Sequence, residues 1–241
     1  MASADIGVIG GSGLYELEGM EHLEDVDIDT PFGRPSDVIT VGLLGDRRVA
    51  FLPRHGRGHR LLPSEVPYRA NVFALKLLGV TTIISASAVG SLREDYQPMD
   101  MVIPDQVFDR TKSRQSTFFG DGIVGHVGFA HPFCLRTSQQ VEVSARSVVP
   151  RTHSGGTYVC MEGPQFSTFA ESTTYRALGF DIIGMTALPE AKLAREAEIC
   201  YAVLAQVTDY DCWYPGHDTV TSDMVMENVA ANVANARAIL R

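Results

Sequence analysis

Ile6-Gly7-Val8-Ile9-Gly10-Gly11-Ser12-Gly13-Leu14 is the stretch that decides how the rest of the chain reads. A short apolar run that ends in glycines is the pattern of a buried strand feeding a tight turn. Glycine lets backbone N–H groups come close to an anion, and the Ser12 hydroxyl adds another donor. A plain strand-to-loop turn is the alternative reading. A dinucleotide-binding fingerprint fits badly, because after Gly11 and Gly13 the third glycine would fall on Glu16.

Working outward, the same strand-like grammar recurs. Val38 to Leu44 and Arg48 to Pro53, separated by Gly45-Asp46, read as a hairpin. Pro67 suits the first turn of a helix running through Val72, Leu75 and Leu78, with Gly79 as its stop. Thr81 to Ala86 is β-branched and apolar, as a central strand requires. Helices are predicted near Pro132–Ser147, Ser167–Leu178 and Pro189–Ala197, alternating with strands near Gly156–Cys160, Asp181–Met185 and Cys200–Thr208. A last helix starts at Thr221 or Ser222, with Asp223 in its first turn and Val225, Val229, Val233 and Ile239 at roughly helical spacing. Strands alternating with helices predict a three-layer α/β domain around a mixed sheet. Residues 105–131, rich in Gly, Phe and His, read as a long excursion from that scaffold. Without a repeat or a linker-like break, residues 1–241 are expected to form one domain.

Bulk properties narrow the partners. A formal net charge of -9 argues against a general nucleic-acid binder, which needs a basic surface. A small anion needs only a few local donors. No apolar run approaches the roughly 20 residues of a membrane span. Met1-Ala2-Ser3-Ala4-Asp5 lacks the basic and apolar regions of a secretory signal, so the cytoplasm is the expected compartment. Cys134, Cys160, Cys200 and Cys212 are far apart and form no C-x-x-C pair, against a zinc site or a disulfide framework.

Two further passages follow predicted strands and carry donors. Arg54-His55-Gly56 offers a planar cationic fork and a histidine that can donate beside it. Ser87-Ala88-Val89-Gly90-Ser91 offers hydroxyls and amides. Ligands in α/β sheets bind beyond strand carboxyl ends, so these passages and Ser12 could converge on one phosphate. Val207-Thr208-Asp209-Tyr210-Asp211-Cys212-Trp213 runs from an apolar strand into two carboxylates. Their i, i+2 spacing could point both to one side and let them read the edge of a heterocycle, one of them protonated. An Asp-rich turn or a cation site remains the alternative.

Taken together, the strings IGVIGGSGL at 6–14, DTPFGRPSD at 29–37, PRHGRGH at 53–59, SAVGSLRE at 87–94, MEGPQFST at 161–168, GMTALPE at 184–190 and TDYDCW at 208–213 resemble the trimeric purine nucleoside phosphorylase family. Within it they are most similar to the 5′-methylthioadenosine phosphorylases, from Ile6 to about Leu240. The resemblance implies a three-layer α/β/α nucleoside phosphorylase fold around a mixed, partly barrel-like central sheet. It implies a phosphate site made by Ser12, Arg54, His55, Ser87, the Ala88 backbone and Thr186. Phe166 and Ser167 would lie by the base and Met185 beneath the ribose. Asp209 would serve purine N7 as general acid, and Asp211 would accept from the exocyclic amino group. The related 6-oxopurine enzymes carry asparagine and glutamate where this chain has Asp209 and Ser167, and both differences favour a 6-aminopurine.

The same resemblance implies a homotrimer or homohexamer in which His126 is lent to the neighbouring pocket. Inorganic phosphate would be a co-substrate, with no organic cofactor or metal. Ser222 stands where methylthioadenosine-specific members often carry an apolar residue, while Val225 and Met226 keep an apolar wall. The chain also ends soon after the last helix, without the extension that helps to cover the pocket in some members. The expected reaction is therefore phosphorolysis of 5′-methylthioadenosine, with adenosine accepted as well. A 6-oxopurine or 5′-methylthioinosine phosphorylase, a hydrolytic nucleosidase and a non-catalytic nucleoside-binding module are the competing readings.

Overall fold

The computed structural model describes residues 3–215 and 222–241, with side chains up to 215 and from 227 onward. The apolar stretch Tyr201–Val207 forms the middle of strand β11 (Cys200–Asp209) and is buried on both faces. Side chains alternate across a strand. Tyr201, Val203, Ala205 and Val207 join a cluster with Ala191, Leu193 and Ala194 of helix α4 (Ala187–Glu196). Leu204 points the other way, into a cluster with Val141 and Ala145 of α2 (Leu135–Val148) and with Ala236 and Ile239 of α5 (Ser222–Leu240). Strand β1 (Ile6–Gly10) repeats this, sending Ile9 into the first cluster and Val8 into one with Val229 and Val233 of α5. Continuous apolar runs are what a sheet covered on both sides demands. The three-layer arrangement follows, with α1 (Tyr68–Leu77) against α4 and α2 against α5.

The remaining strands are β2 (Glu21–Val26), β3 (Ile39–Leu44), β4 (Arg47–Pro53), β5 (Thr82–Ser91), β6 (Met101–Ile103), β7 (Gln106–Arg110), β8 (Thr152–Ser154), β9 (Thr157–Met161) and β10 (Ile182–Gly184). Helix α3 (Phe169–Ala177) begins with a capping box, the Thr168 hydroxyl accepting from Glu171 N–H while the Glu171 carboxylate accepts from Thr168 N–H. The main path of the sheet is β2-β3-β4-β1-β5-β10-β9-β7. Strand β5 is its hub. One edge pairs first with parallel β1 and then, at Gly90 and Ser91, with antiparallel β10. The other edge pairs with parallel β11 from Thr82 to Gly90. Strand β6 joins β11, yet runs through Pro104-Asp105 into β7, which joins β9. Strands β8 and β9 are joined in the same way by Gly155-Gly156. Two chain segments thus serve both sides of the sheet, which curls into the expected partly barrel-like form.

Four strands differ from the sequence expectation. Strand β2 is edge structure with a charged, exposed face, so it carries no apolar alternation to read. Strands β6 and β8 have three residues each, too few to show a period. Strand β7 corrects the reading of 105–131 as a plain excursion: its first five-residue segment completes the sheet beside β9. The last helix does start at Ser222; Thr221 and the side chains of Asp223 and Val225 lie outside the described residues. Among the described residues no helix is long and apolar enough to cross a membrane.

Candidate active site

The carboxyl ends of β1, β4, β9, β10 and β11 converge with the second half of β5 around one cavity of about 370 Å3. Its walls include Ser12, Arg54, His55, Ser87, Ala88, Phe166, Met185, Thr186, Asp209 and Asp211. Ten positions singled out from the sequence, spread over some two hundred residues, therefore meet in one place. Ser167 stands just behind the wall, its carbonyl accepting from the Cys212 thiol at 3.4 Å. His126 is exposed and away from this cavity within its own chain. The side chains of Ser222, Val225 and Met226 lie outside the described residues.

At one end the polar groups are already engaged. Arg54 is fully buried, its Nε donating to Glu190 Oε1. Its Nη2 donates to Ser85 Oγ at 2.5 Å and Glu190 Oε2 at 3.3 Å, and its Nη1 to the Ala86 carbonyl at 3.0 Å. Of the five guanidinium N–H groups, one is left for a ligand. The expected two-pronged grip on phosphate is corrected accordingly: the fork closes on Glu190, and the cavity receives a single N–H. Glu190 also accepts from Tyr201 OH at 2.8 Å and Ser85 Oγ at 2.9 Å, so its carboxylate is well compensated although wholly buried. Gly11 makes this packing possible. A Cβ there would lie 2.6 Å from the Ala86 carbonyl and 3.2 Å from Arg54 Nη1. Beside the pair, Ser87 Oγ lies 2.9 Å from Thr186 Oγ1 and 3.1 Å from Tyr158 OH. Burial and the neighbouring Arg54 push His55 down to about 3, so its ring is neutral.

At the other end the carboxyls are buried with no cation beside them among the described residues. Between Val207 and Asp209 the β11–β5 register shifts by a bulge, and Asn232 and Asn228 of α5 donate to the Val207 and Thr208 carbonyls. The bulge lays Asp209 over Gly90, where a Cβ would come within 2.9 Å of Asp209 Oδ1. The expected strand-like i, i+2 presentation is corrected here. Asp209 ends the strand, while Asp211 sits in the following turn at φ +52 and donates its backbone N–H to Asp209 Oδ1 at 2.8 Å. Burial raises both carboxyls above their usual range. Thr208 Oγ1 lies 3.1 Å from the Val89 carbonyl and 2.6 Å from Asp209 Oδ2. A hydroxyl has one hydrogen and the carbonyl can only accept. Both contacts are made in full when Asp209 is protonated and donates to Thr208. Asp211 Oδ2 is buried with no close hydrogen-bond partner among the described residues, while the Ser172 and Ser167 hydroxyls face the carboxyl and oppose its rise.

Between the two ends Phe166, Met161, Met185 and Ile183 give the cavity an apolar middle. Arg114, from the loop after β7, supports it by donating to the Met185 and Glu162 carbonyls, each at 2.6 Å, and to that of Leu188 at 2.7 Å. Arg114, Glu190, Ser85, Tyr201 and Thr208 were not singled out in the sequence. Glu190 did leave a trace, as a lone acid in the otherwise apolar and small Ala187–Ala191 run. Among the described residues no group of three or more His, Cys, Asp or Glu is placed to hold a metal ion.

The sequence profile of the Phosphorylase superfamily matches residues 5–241. The S-methyl-5'-thioadenosine phosphorylase of Gloeobacter violaceus is 59% identical, over 99% of this chain and 81% of its own. That of Chloroflexus aurantiacus is 60% identical, over 100% and 84%. Among solved structures, a methylthioadenosine phosphorylase from an antarctic soil metagenomic library superposes with a TM-score of 0.94 at 54% identity, covering 100% of this chain and 85% of that one. The Schistosoma mansoni methylthioadenosine phosphorylase in complex with adenine gives 0.94 at 42%, covering 99% and 90%. Nearly the whole chain takes part in each match, and the fold is that of the nucleoside phosphorylases; the chain belongs to the phosphorylase superfamily.

Proposed function

We propose that the chain catalyses phosphorolysis of 5′-methylthioadenosine to adenine and 5-methylthioribose 1-phosphate, and of adenosine to adenine and ribose 1-phosphate. One observation carries this reading: a single cavity sets hydroxyl and amide donors at one end against two buried carboxyls, both raised by burial, at the other, across an apolar middle. Names of the relatives point to the same substrate.

The mechanism follows from that polarity. The N9–C1′ bond breaks ahead of phosphate attack, leaving cationic character on the sugar. Departing adenine takes the Asp209 carboxyl proton at N7 as that proton turns from Thr208 to the base, and the Thr208 hydroxyl then donates to the carboxylate left behind; general acid help of this kind is worth about 10²–10⁴-fold. Phosphate held by Ser12, Arg54, His55, Ser87, Ala88 N–H and Thr186 stabilises the ribosyl cation and then forms the C1′–O bond. Asp211 Oδ2 accepts from the exocyclic amino group, which a 6-oxopurine lacks. Phe166 and Ser167 border the base, and Met185 lies under the ribose.

The 5′ end is closed by His126 of a neighbouring copy in a homotrimer or a pair of trimers. Exposed Ile123, Val124 and Val127 around His126 support such an interface. The whole chain acts as one phosphorylase domain in the cytoplasm, with phosphate as co-substrate and no other cofactor. The test is adenine release from methylthioadenosine with and without inorganic phosphate. The reading expects release only with phosphate, and inosine to be left uncleaved. Adenine release at an unchanged rate without phosphate would make the chain a hydrolase.

A further inference from the structure

We propose that His55 accepts a hydrogen bond from a proton carried by the bound oxyanion, so that the site selects hydrogenphosphate-type anions over fully deprotonated ones such as sulfate. This rests on the phosphorolytic reading above and deepens it. His55 Nδ1 lies 2.8 Å from the Leu61 carbonyl oxygen. A carbonyl only accepts, so Nδ1 carries the hydrogen. A flipped ring would put a carbon at that distance, too close for a C–H contact. The other ring nitrogen, Nε2, has no hydrogen-bond partner among the described residues, and the imidazole is part of the cavity wall.

Nε2 is therefore a lone-pair acceptor unless the ring takes a second proton, and its surroundings oppose that. Arg54 approaches from the same strand end and Arg114 from the loop after β7. His59 stacks on the ring at 4.4 Å, itself held below its usual range by burial, with Tyr15 OH 3.4 Å from its Nδ1. The carboxylate at this end, Glu190, is already taken up by Arg54, Ser85 and Tyr201. Arg54 brings one free N–H, and its charge is balanced by Glu190. A fully deprotonated dianion would thus set an oxygen lone pair against the Nε2 lone pair. Hydrogenphosphate offers its O–H there and presents bare oxygens to Ser12, Arg54, Ser87, Thr186 and Ala88 N–H. That proton stays on a non-attacking oxygen while another oxygen bonds C1′, so the ester forms as its hydrogen-bearing monoanion.

The experiment is a competition series on the wild-type enzyme, using arsenate and sulfate against phosphate at about pH 7.5 and about pH 6. Arsenate, which retains a proton, should act within about 10-fold of phosphate. Sulfate should bind at least about 30-fold more weakly at the higher pH, the scale of an unpaired buried acceptor. Sulfate should stay the weaker ligand at both pH values, because a ring that titrates at about 3 remains neutral across this range. The ¹⁵N resonances of His55 in phosphate-free enzyme should mark Nδ1 as protonated and Nε2 as bare. Sulfate binding as tightly as phosphate, or an Nε2–H resonance, overturns the proposal. Phosphate-dependent turnover with equal sulfate binding would defeat only the role of His55. Phosphate-independent release of adenine would instead defeat the phosphorolytic reading.

Discussion

The two ends of the cavity solve opposite problems with buried charge. At the Arg54 end every strong charge is answered inside the protein: Glu190 meets the guanidinium, and Ser85 and Tyr201 meet Glu190. At the Asp209 end the described residues supply no cation, burial raises both carboxyls, and Asp211 Oδ2 has no close hydrogen-bond partner among them. A pocket that binds a dianion at one end and must deliver a proton at the other needs this asymmetry. A rigid donor frame suits the first task; a carboxyl kept protonated by burial suits the second.

The sharpest way to break the contrast is Glu190→Ala. It leaves Arg54 buried and unpaired, and about 3–5 kcal/mol of stability should be lost, read by chemical denaturation. A loss below about 1 kcal/mol would mean that the ion pair does not hold this end together.

His55 and the aspartates should respond to acid with opposite signs. His55 is lowered from 6.5 to about 3, so the unfolded chain binds the proton first. Its contribution is complete above about pH 6.5 and is lost as pH falls toward 3, on the order of 5 kcal/mol. Asp209 and Asp211 are raised, so their burial penalty is relieved as pH falls through their folded values toward 3.8. Denaturation of wild type and His55→Gln across this range isolates the first effect. The wild type should lose stability more steeply, and parallel curves would contradict it.

Asp211→Asn should be the mildest change. It swaps the unpartnered acceptor for a side chain that can turn a donor toward the adenine amino group. The kcat/KM for methylthioadenosine should fall about 5- to 150-fold, the range of one buried hydrogen bond. An unchanged preference for adenine over hypoxanthine nucleosides would remove Asp211 from base selection.

Legibility in the sequence followed the same division between local and distant causes. Strand β1, the Arg54-His55 strand end and the apolar run of β11 carry their pattern in consecutive residues, and each was readable. Their convergence rested on their place at strand carboxyl ends together with the family strings. Arg54's engagement with Glu190 was not readable, because the partners stand 136 residues apart and an arginine after a strand reads equally as a ligand group. Spacing alone left the aspartate pair open between a base reader and an acidic turn, and its geometry was not readable. The bulge at Thr208 and the left-handed backbone at Asp211 come from α5 asparagines and the Gly90 gap, which are tertiary features. Strands β6 and β8 escaped for a similar reason, since three-residue strands exist only through their partners.

The central claim is that the Asp209 end supplies a proton to the leaving base while the Arg54 end supplies the nucleophile. Its most direct test compares wild type with Asp209→Asn on two substrates in saturating phosphate. One is methylthioadenosine; the other is 4-nitrophenyl 5-methylthioriboside, whose leaving group needs no proton. The account predicts a loss of about 10²–10⁴-fold in kcat on methylthioadenosine and a change within about 10-fold on the nitrophenyl compound. Equal losses on both substrates, or full activity of Asp209→Asn on methylthioadenosine, would contradict it.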